Sequence, residues 1–424
     1  MKNIAIIGGG TVAHCRSHLA LSAVAYGNTA RKLHALCFQQ LASHWDPVSD
    51  KGYNINLYLT KMASGGAGNL ETNEDVSNFV DTLVADPDTK IVFFNAAMCD
   101  YTGSVDIDNY IDSDTPSGKY EPRLKTSDGP RKMWLTPAPK VISKIRKERK
   151  DIFLVAFKTT CGATEDEQFI AGLNLLKKNS CNLVLANDTK TRVNMIITPE
   201  QARYSVTTDR DVVLRELVSM ALARSKGTFT RSTIVDGPSI DWNSEEVPDS
   251  LRKVVNYCRN MGAYKTFNGS SVGHFATKKT DDTFYTSKRK TDYNKLDEVG
   301  LVKVVSSGPE SVVAYGSRPS VGGASQRVIF KEHPEMDCIA HFHCKPKDIA
   351  KLSVRSQREN ECGSTNCGVN TSNGLRLEED GIKCVYLDKH GPNIVFNSSI
   401  DPQRVIEFID RNFDLSKSTD DLNG

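Results

Sequence analysis

Met1-Lys2-Asn3-Ile4-Ala5-Ile6-Ile7-Gly8-Gly9-Gly10-Thr11 opens the chain, and the way it is read decides the architecture. An apolar run over 3–7 breaks at three glycines, so it reads as a first strand meeting a turn rather than as a signal peptide. Further short apolar runs follow at 53–60, 91–97, 152–157 and 182–186, with amphipathic stretches of helical period between most of them. Such alternation predicts parallel strands joined by crossover helices, an open α/β sheet. The best-marked helices are 138–149, 165–178 and 209–224. No apolar stretch is long enough to cross a bilayer.

The chain has 424 residues, 39% hydrophobic and 25% charged, with a net charge of +2. Its length predicts two or three domains. Basic residues are dispersed, which argues against nucleic acid and anionic membranes as partners and leaves small-molecule substrates. Eleven cysteines, an odd number, point to reduced thiols and a cytoplasmic setting. Cys362 and Cys367 have no second pair at ligand spacing, so a structural zinc knuckle is not expected. The expected divisions are a nucleotide-binding domain at 1–226, a Ser/Thr/Pro-rich linker at 227–248, a second domain at 249–415 and a polar tail at 416–424. In the second domain a helix over about 249–262 precedes strand-like segments at 282–287, 300–304, 311–315 and 337–343, with a helix around 320–332.

The second domain carries the sharpest chemical signal. Cys338-Ile339-Ala340 reads as a strand running into His341-Phe342-His343, and imidazoles two residues apart on a strand point the same way. His390, in Lys389-His390-Gly391, offers a third. Three neutral histidines leave an open coordination position, the arrangement of a catalytic zinc or other divalent metal. The plainer alternative is three unrelated polar residues.

In the first two hundred residues, Gly8-Gly9-Gly10-Thr11 is a candidate phosphate loop at a helix N-terminus. With Ala13 it also fits a dinucleotide fingerprint, but the second strand ends in Leu59-Thr60-Lys61, with no acid for a ribose. More specific is an ordered series: Asn95-Ala96-Ala97-Met98-Cys99-Asp100-Tyr101, Arg123-Leu124-Lys125, Leu135-Thr136-Pro137, Val155-Ala156-Phe157-Lys158, Leu185-Ala186-Asn187-Asp188 and Asn194-Met195-Ile196-Ile197. Ala96 and Ala97 leave room for a base or ribose, Asp100 can hold hydroxyls or a metal, Lys125 can fold over a triphosphate, and Asn187 with Asp188 can read a polar ligand. Taken singly, each is as readily core packing, a solvated charge or a turn. The order resembles the phosphopantothenate–cysteine ligase family over about 1–205. That resemblance implies a Rossmann-like domain that activates a carboxylate with CTP or ATP and Mg2+, as in coenzyme A biosynthesis, and then couples it to an amine. Gly8, Gly9, Gly10, Thr11, Ala96, Ala97, Phe157, Asn187 and Asp188 would bind the nucleotide, and Lys125 and Asp100 would act in the chemistry. The family's Asn before a Ser-Ser-Gly turn is absent from Ala23-Val24-Ala25-Tyr26-Gly27-Asn28.

From about Asp249 the chain resembles the class II aldolase/adducin family, a zinc-dependent α/β/α fold. Asn268-Gly269-Ser270-Ser271 looks like its phosphate loop, Phe284-Tyr285-Thr286-Ser287 like its next strand, and His333-Pro334-Glu335-Met336-Asp337 like the run ahead of its metal pair. Cys362-Gly363-Ser364 and Lys389-His390-Gly391 complete the set. The resemblance implies metal on His341, His343 and His390, and substrate phosphate near Asn268, Ser270, Lys288 and Ser320. The family's proton-moving Glu corresponds to Gly322.

The expectation is therefore a fusion of a ligase-like and an aldolase-like domain, homo-oligomeric as both resembled families are. Its rival is a binding or assembly protein that keeps both folds without catalysis. A third reading is a nicotinamide or flavin oxidoreductase built on Gly8–Gly10.

Overall fold

The computed structural model describes residues 1–43, 52–106, 115–308, 310–320 and 323–418. It divides into two compact units, one of residues 1–198 and 204–225, the other of 199–203 and 226–424.

The first unit is built on a seven-stranded sheet in the order Arg203–Thr207, Asn194–Ile197, Leu183–Asp188, Phe153–Thr160, Thr89–Ala97, Lys2–Gly10, Tyr53–Leu59. The last five of these pair in parallel, and Asn194–Ile197 joins Leu183–Asp188 antiparallel. Strands such as Ile4-Ala5-Ile6-Ile7 and Leu183-Val184-Leu185-Ala186 are buried without interruption, as expected of parallel strands covered on both faces. Helix Asn28–Ser43 packs on the first strand and on Tyr53–Leu59, and helix Glu165–Asn179 on Phe153–Thr160 and Leu183–Asp188. Each apolar run read from the sequence is thus a strand of one parallel-rich sheet.

One expectation changes at the glycines. The first strand does not stop at Ile7 but runs through Gly10, and no helix follows it directly; a hairpin of Val12–Arg16 and Leu19–Ser22 intervenes. All three glycines are there for close packing. A Cβ on Gly8 would lie 2.2 Å from the Ala30 Cβ, on Gly9 2.1 Å from the Thr60 hydroxyl, and on Gly10 1.8 Å from the Ala23 carbonyl oxygen. The helix expected over 138–149 shrinks to Ser143–Glu148, because strand Met133–Pro137 and its proline lead into it.

The second unit holds a ten-stranded, mostly antiparallel sheet. Its apolar residues alternate between two faces. Phe275, Ala340, Cys384, Ile394 and Phe396 point to one side and pack with Leu251, Val254, Val255, Val405, Phe408 and Ile409 of helices Asp249–Asn260 and Pro402–Asn412. Ala276, Ile339, Val385 and Val395 point to the other, against Ile329, Phe330 and Cys367 of helices Gly323–Glu332 and Thr365–Gly374. Period-two alternation with both faces apolar produces this helix–sheet–helix layering.

The stretch expected as a linker carries strand Arg231–Val235, paired parallel with Ser311–Tyr315 at the edge of this sheet. The polar tail is likewise ordered at first, since strand Phe413–Ser418 pairs with Cys344–Pro346; residues 419–424 lie outside the described residues. The helix expected from 320 begins at Gly323, and Gly322, the position of the missing Glu, also lies outside the described residues.

Candidate metal centre

Strand Cys338–His341 ends at His341, so the His341/His343 pair straddles a strand end rather than lying within one strand. The alternation persists past the end. Phe342 enters the core on the side of helix Asp249–Asn260, which sends His341 and His343 to the opposite side. His390 arrives on the hairpin between Ile382–Asp388 and Gly391–Phe396. That hairpin turns tightly, with the His390 N–H donating to the Leu387 carbonyl at 2.9 Å and Lys389 at φ 58°. Gly391, at φ 125°, is what lets it close on the histidine pair: a Cβ there would meet the Phe342 carbonyl oxygen at 2.2 Å.

The three rings converge. Centroids lie 5.0 Å apart for His341–His343, 4.7 Å for His341–His390 and 4.8 Å for His343–His390. One nitrogen from each falls within 4.8 Å of the others, and all three side chains are buried. A tetrahedral ion bound at about 2.0–2.1 Å holds neighbouring nitrogens roughly 3.4 Å apart, so a small contraction would seat one. His341 Nδ1 lies 2.8 Å from the Pro392 carbonyl oxygen. A carbonyl only accepts, so Nδ1 carries the proton and Nε2 keeps its lone pair for an ion. Burial pushes the His341 imidazole down to about 4, against a smaller opposing pull from Pro392, so it is neutral and ligand-ready at neutral pH. The residues present therefore fit a divalent metal.

A fourth histidine escaped the sequence reading. His274 opens strand His274–Lys278, directly across the ladder from His341, and its ring leans on that of His341 at 4.7 Å. Its Nδ1 is 2.8 Å from the amide nitrogen of Gln326, on helix Gly323–Glu332. Burial first, then His341, holds its imidazole well below the ordinary histidine range. The only signal in the sequence was a histidine at the head of an apolar strand, and nothing local gives the register that puts it opposite His341.

Of the residues expected to hold substrate phosphate, Ser320 alone is buried, its hydroxyl 3.4 Å from that of Thr286. Asn268 and Gly269 form the tip of the hairpin Thr266–Phe267 and Ser270–Ser271, both at positive φ (49° and 73°), the Asn-Gly signature of a two-residue turn. Ser270 belongs to that ribbon. The Lys288 ammonium is engaged by the Ser239 hydroxyl at 2.7 Å and by the Val299 carbonyl.

In the first unit, Ala96, Ala97, Phe157 and Asn187 lie at or near the carboxyl ends of parallel strands, where open α/β sheets bind ligands. Gly8, Gly9 and Gly10 are filled by their own chain, as described above. Thr11 is fully buried and tied into a network: its hydroxyl donates to Asn73 Oδ1 at 2.7 Å and accepts from the Cys99 N–H at 2.9 Å. Asp188 anchors two turns, accepting from the N–H groups of Thr191, Lys190, Gly162 and Ala163 and from the Thr160 hydroxyl. Those bonds, Thr191 foremost, hold its carboxyl below the usual carboxylate range. Asp100 is exposed and paired with Lys140, and Lys125 stands exposed before the short helix Thr126–Asp128.

These features define a chain of two α/β units, the second with a buried three-histidine cluster. Residues 252–395 match the profile of the Class II Aldolase and Adducin N-terminal domain. The N-terminal half is similar to a DNA/pantothenate metabolism flavoprotein from Streptococcus pneumoniae, at 18% identity and a TM-score of 0.43, over 53% of this chain and 99% of that one. It is also similar to the C-terminal domain of the coenzyme A biosynthesis bifunctional protein CoaBC, at 14% identity and a TM-score of 0.35, over 51% and 92%. The C-terminal half is similar to L-fuculose 1-phosphate aldolase, at 16% identity and a TM-score of 0.30, over 39% and 82%. No curated protein matches the chain. Among the described residues, no helix is long and apolar enough to cross a membrane.

Proposed function

We propose that the second unit binds one divalent metal ion, zinc foremost, on His341, His343 and His390, and acts as an aldolase-type lyase on a small phosphorylated or hydroxylated carbonyl compound. The observation that carries this reading is the convergence of three buried imidazoles inside the segment that matches the aldolase/adducin profile. A bound ion supplies a Lewis acid that polarises a carbonyl oxygen. His341 is oriented for it by Pro392, and burial keeps that ring neutral. We place a nucleoside triphosphate, CTP or ATP with Mg2+, at the strand ends around Ala96, Ala97 and Phe157 of the first unit, where it would activate a carboxylic acid for coupling to an amine. Lys125 and Asp100 are the side chains proposed for that step. The protein would work in the cytosol as a homo-oligomer.

A second reading is favoured by the make-up of the two sites. Ala23 stands where the ligase motif has Asn, and no acid joins the three histidines among the described residues. On that reading the chain binds metal and nucleotide as an assembly protein.

Metal analysis separates these readings from their failure. Wild type is expected to hold about one zinc per chain, with His341→Ala and His390→Ala holding little; unchanged metal in both variants removes the site. Release of pyrophosphate from CTP or ATP in the presence of an acid and an amine supports the ligase, and its absence under metal- and nucleotide-saturated conditions supports the assembly reading.

A further inference from the structure

The run His333-Pro334-Glu335-Met336-Asp337 has no part in the chemistry proposed above, yet its histidine joins three elements of the second unit. His333 follows helix Gly323–Glu332, its N–H donating to the Ile329 carbonyl at 2.9 Å and its own carbonyl accepting from the Met336 N–H at 3.0 Å. From there the half-buried ring reaches two neighbours. Nε2 lies 3.2 Å from the Ser372 carbonyl oxygen and 3.0 Å from the Ser372 hydroxyl, in the last turn of helix Thr365–Gly374. Nδ1 lies 3.0 Å from the ammonium of Lys383, on strand Ile382–Asp388. Lys383 also pairs with Glu335.

Both contacts demand the same neutral tautomer. A carbonyl only accepts, so Nε2 carries the ring's proton; an ammonium only donates, so Nδ1 offers its lone pair. A second proton would have to sit on Nδ1, where it faces a like charge at 3.0 Å instead of an acceptor. Burial first, then Lys383, accordingly hold this imidazole below the ordinary histidine range, against opposing pulls from Ser372, Glu335 and Glu332. Lys383 is the charged group facing the ring from the strand, and Glu332 and Glu335 face it from its own segment. Helix Thr365–Gly374 contains no charged residue.

We propose that His333 is a proton-operated clasp between a helix end and the sheet. Neutral, one ring ties the last turn of helix Thr365–Gly374 to Lys383; protonated, it breaks from Lys383, and the helix end loosens from strand Ile382–Asp388. The helix end depends on few other bonds at that point, since the Leu375 N–H closes it on the Thr371 and Ser372 carbonyls at 3.1 and 3.2 Å. Because the folded ring takes up its proton less readily than a free one, the clasp contributes stability that is complete above the ordinary histidine range and is lost as pH falls below it. The clasp is independent of the metal reading, as His333 lies outside the three-histidine group.

The test is made on the full chain by amide hydrogen exchange, expressed as protection relative to the free-chain rate at each pH, together with the titration midpoint of His333 read from exchange of its ring C2–H. Wild type, His333→Gln and Lys383→Met are compared, with the amides of 183–186 in the first unit as internal reference. In wild type the protection of 372–375 is expected to fall about threefold or more from about pH 7 to about pH 5 while the reference holds. His333→Gln offers an N–H to Ser372 and an oxygen to Lys383 but takes up no proton, so its protection at 372–375 should stay level over that range. Lys383→Met removes the like charge, so the His333 midpoint should rise and the helix end should keep its protection at about pH 5, a protonated ring still donating to the Ser372 carbonyl. Either variant carries the test if the other does not fold. A wild-type helix end that stays level, or falls only in step with the reference, overturns the clasp. So does the same pH dependence in His333→Gln, or a His333 midpoint that Lys383→Met leaves in place.

Discussion

Asp188 is 2% exposed and accepts hydrogen bonds from four backbone N–H groups and one hydroxyl, so its ionised form is built into the fold. Because its folded pKa lies below the unfolded value, its contribution to stability is complete above the usual carboxylate range and is lost as pH falls through the folded value. The protection of the 188–191 amides, measured as exchange relative to the free-chain rate at the same pH, is therefore expected to fall as pH drops below the usual carboxylate range, while Asp188→Asn is already less protected at neutral pH and changes less on acidification. Equal acid sensitivity in both proteins would contradict this. A strand-end Asn-Asp suits both a ligand reader and a turn anchor, and the acceptor geometry of Asp188 shows the anchoring role. His341 and His343 were legible because period-two alternation is a local property. His274 was not, since its place depends on a neighbouring strand 67 residues away.

Elements place the metal candidates more strictly than their own chemistry does. His390 meets the other two rings only because the hairpin at 388–391 closes against Phe342, and Gly391 provides both the positive φ and the missing Cβ. Gly391→Ala is expected to leave secondary structure intact while weakening zinc about 10–100-fold, the usual cost of disturbing the support of a ligand; competition with a chromogenic chelator measures it, and unchanged affinity would refute the placement. In the first unit, helix Glu165–Asn179 starts with a reciprocal cap in which the Thr164 hydroxyl accepts from the Glu167 N–H and the Glu167 carboxylate accepts from the Thr164 N–H. Thr164→Ala should cost about 1 kcal/mol in denaturant unfolding. The sequence marks that helix well, with a Thr-x-x-Glu signature before an apolar stripe. It marks the glycine run poorly, because glycines serve phosphate approach and chain approach alike, and here Ala23, Ala30 and Thr60 fill the space.

Two separate cores bound what the whole chain does under stress. One unit is centred on a parallel sheet buried on both faces, the other on a mostly antiparallel sheet between two helix layers. A ligand that binds only the folded form of one unit stabilises that unit by mass action, about 2.7 kcal/mol at a hundredfold excess over Kd. For a domain of this size that is roughly 5–10 °C in melting temperature. Zinc is accordingly expected to raise a calorimetric transition of wild type by this amount, and excess chelator to reverse it, whereas the His341→Ala chain should melt at the same temperature with or without zinc. The transition that responds belongs to the second unit, residues 199–203 and 226–424, since the three candidate ligands lie there and their nitrogens come together within it. A zinc shift of equal size in wild type and His341→Ala would mean that the ion binds elsewhere, and the three-histidine centre would then have no thermodynamic weight in the molecule.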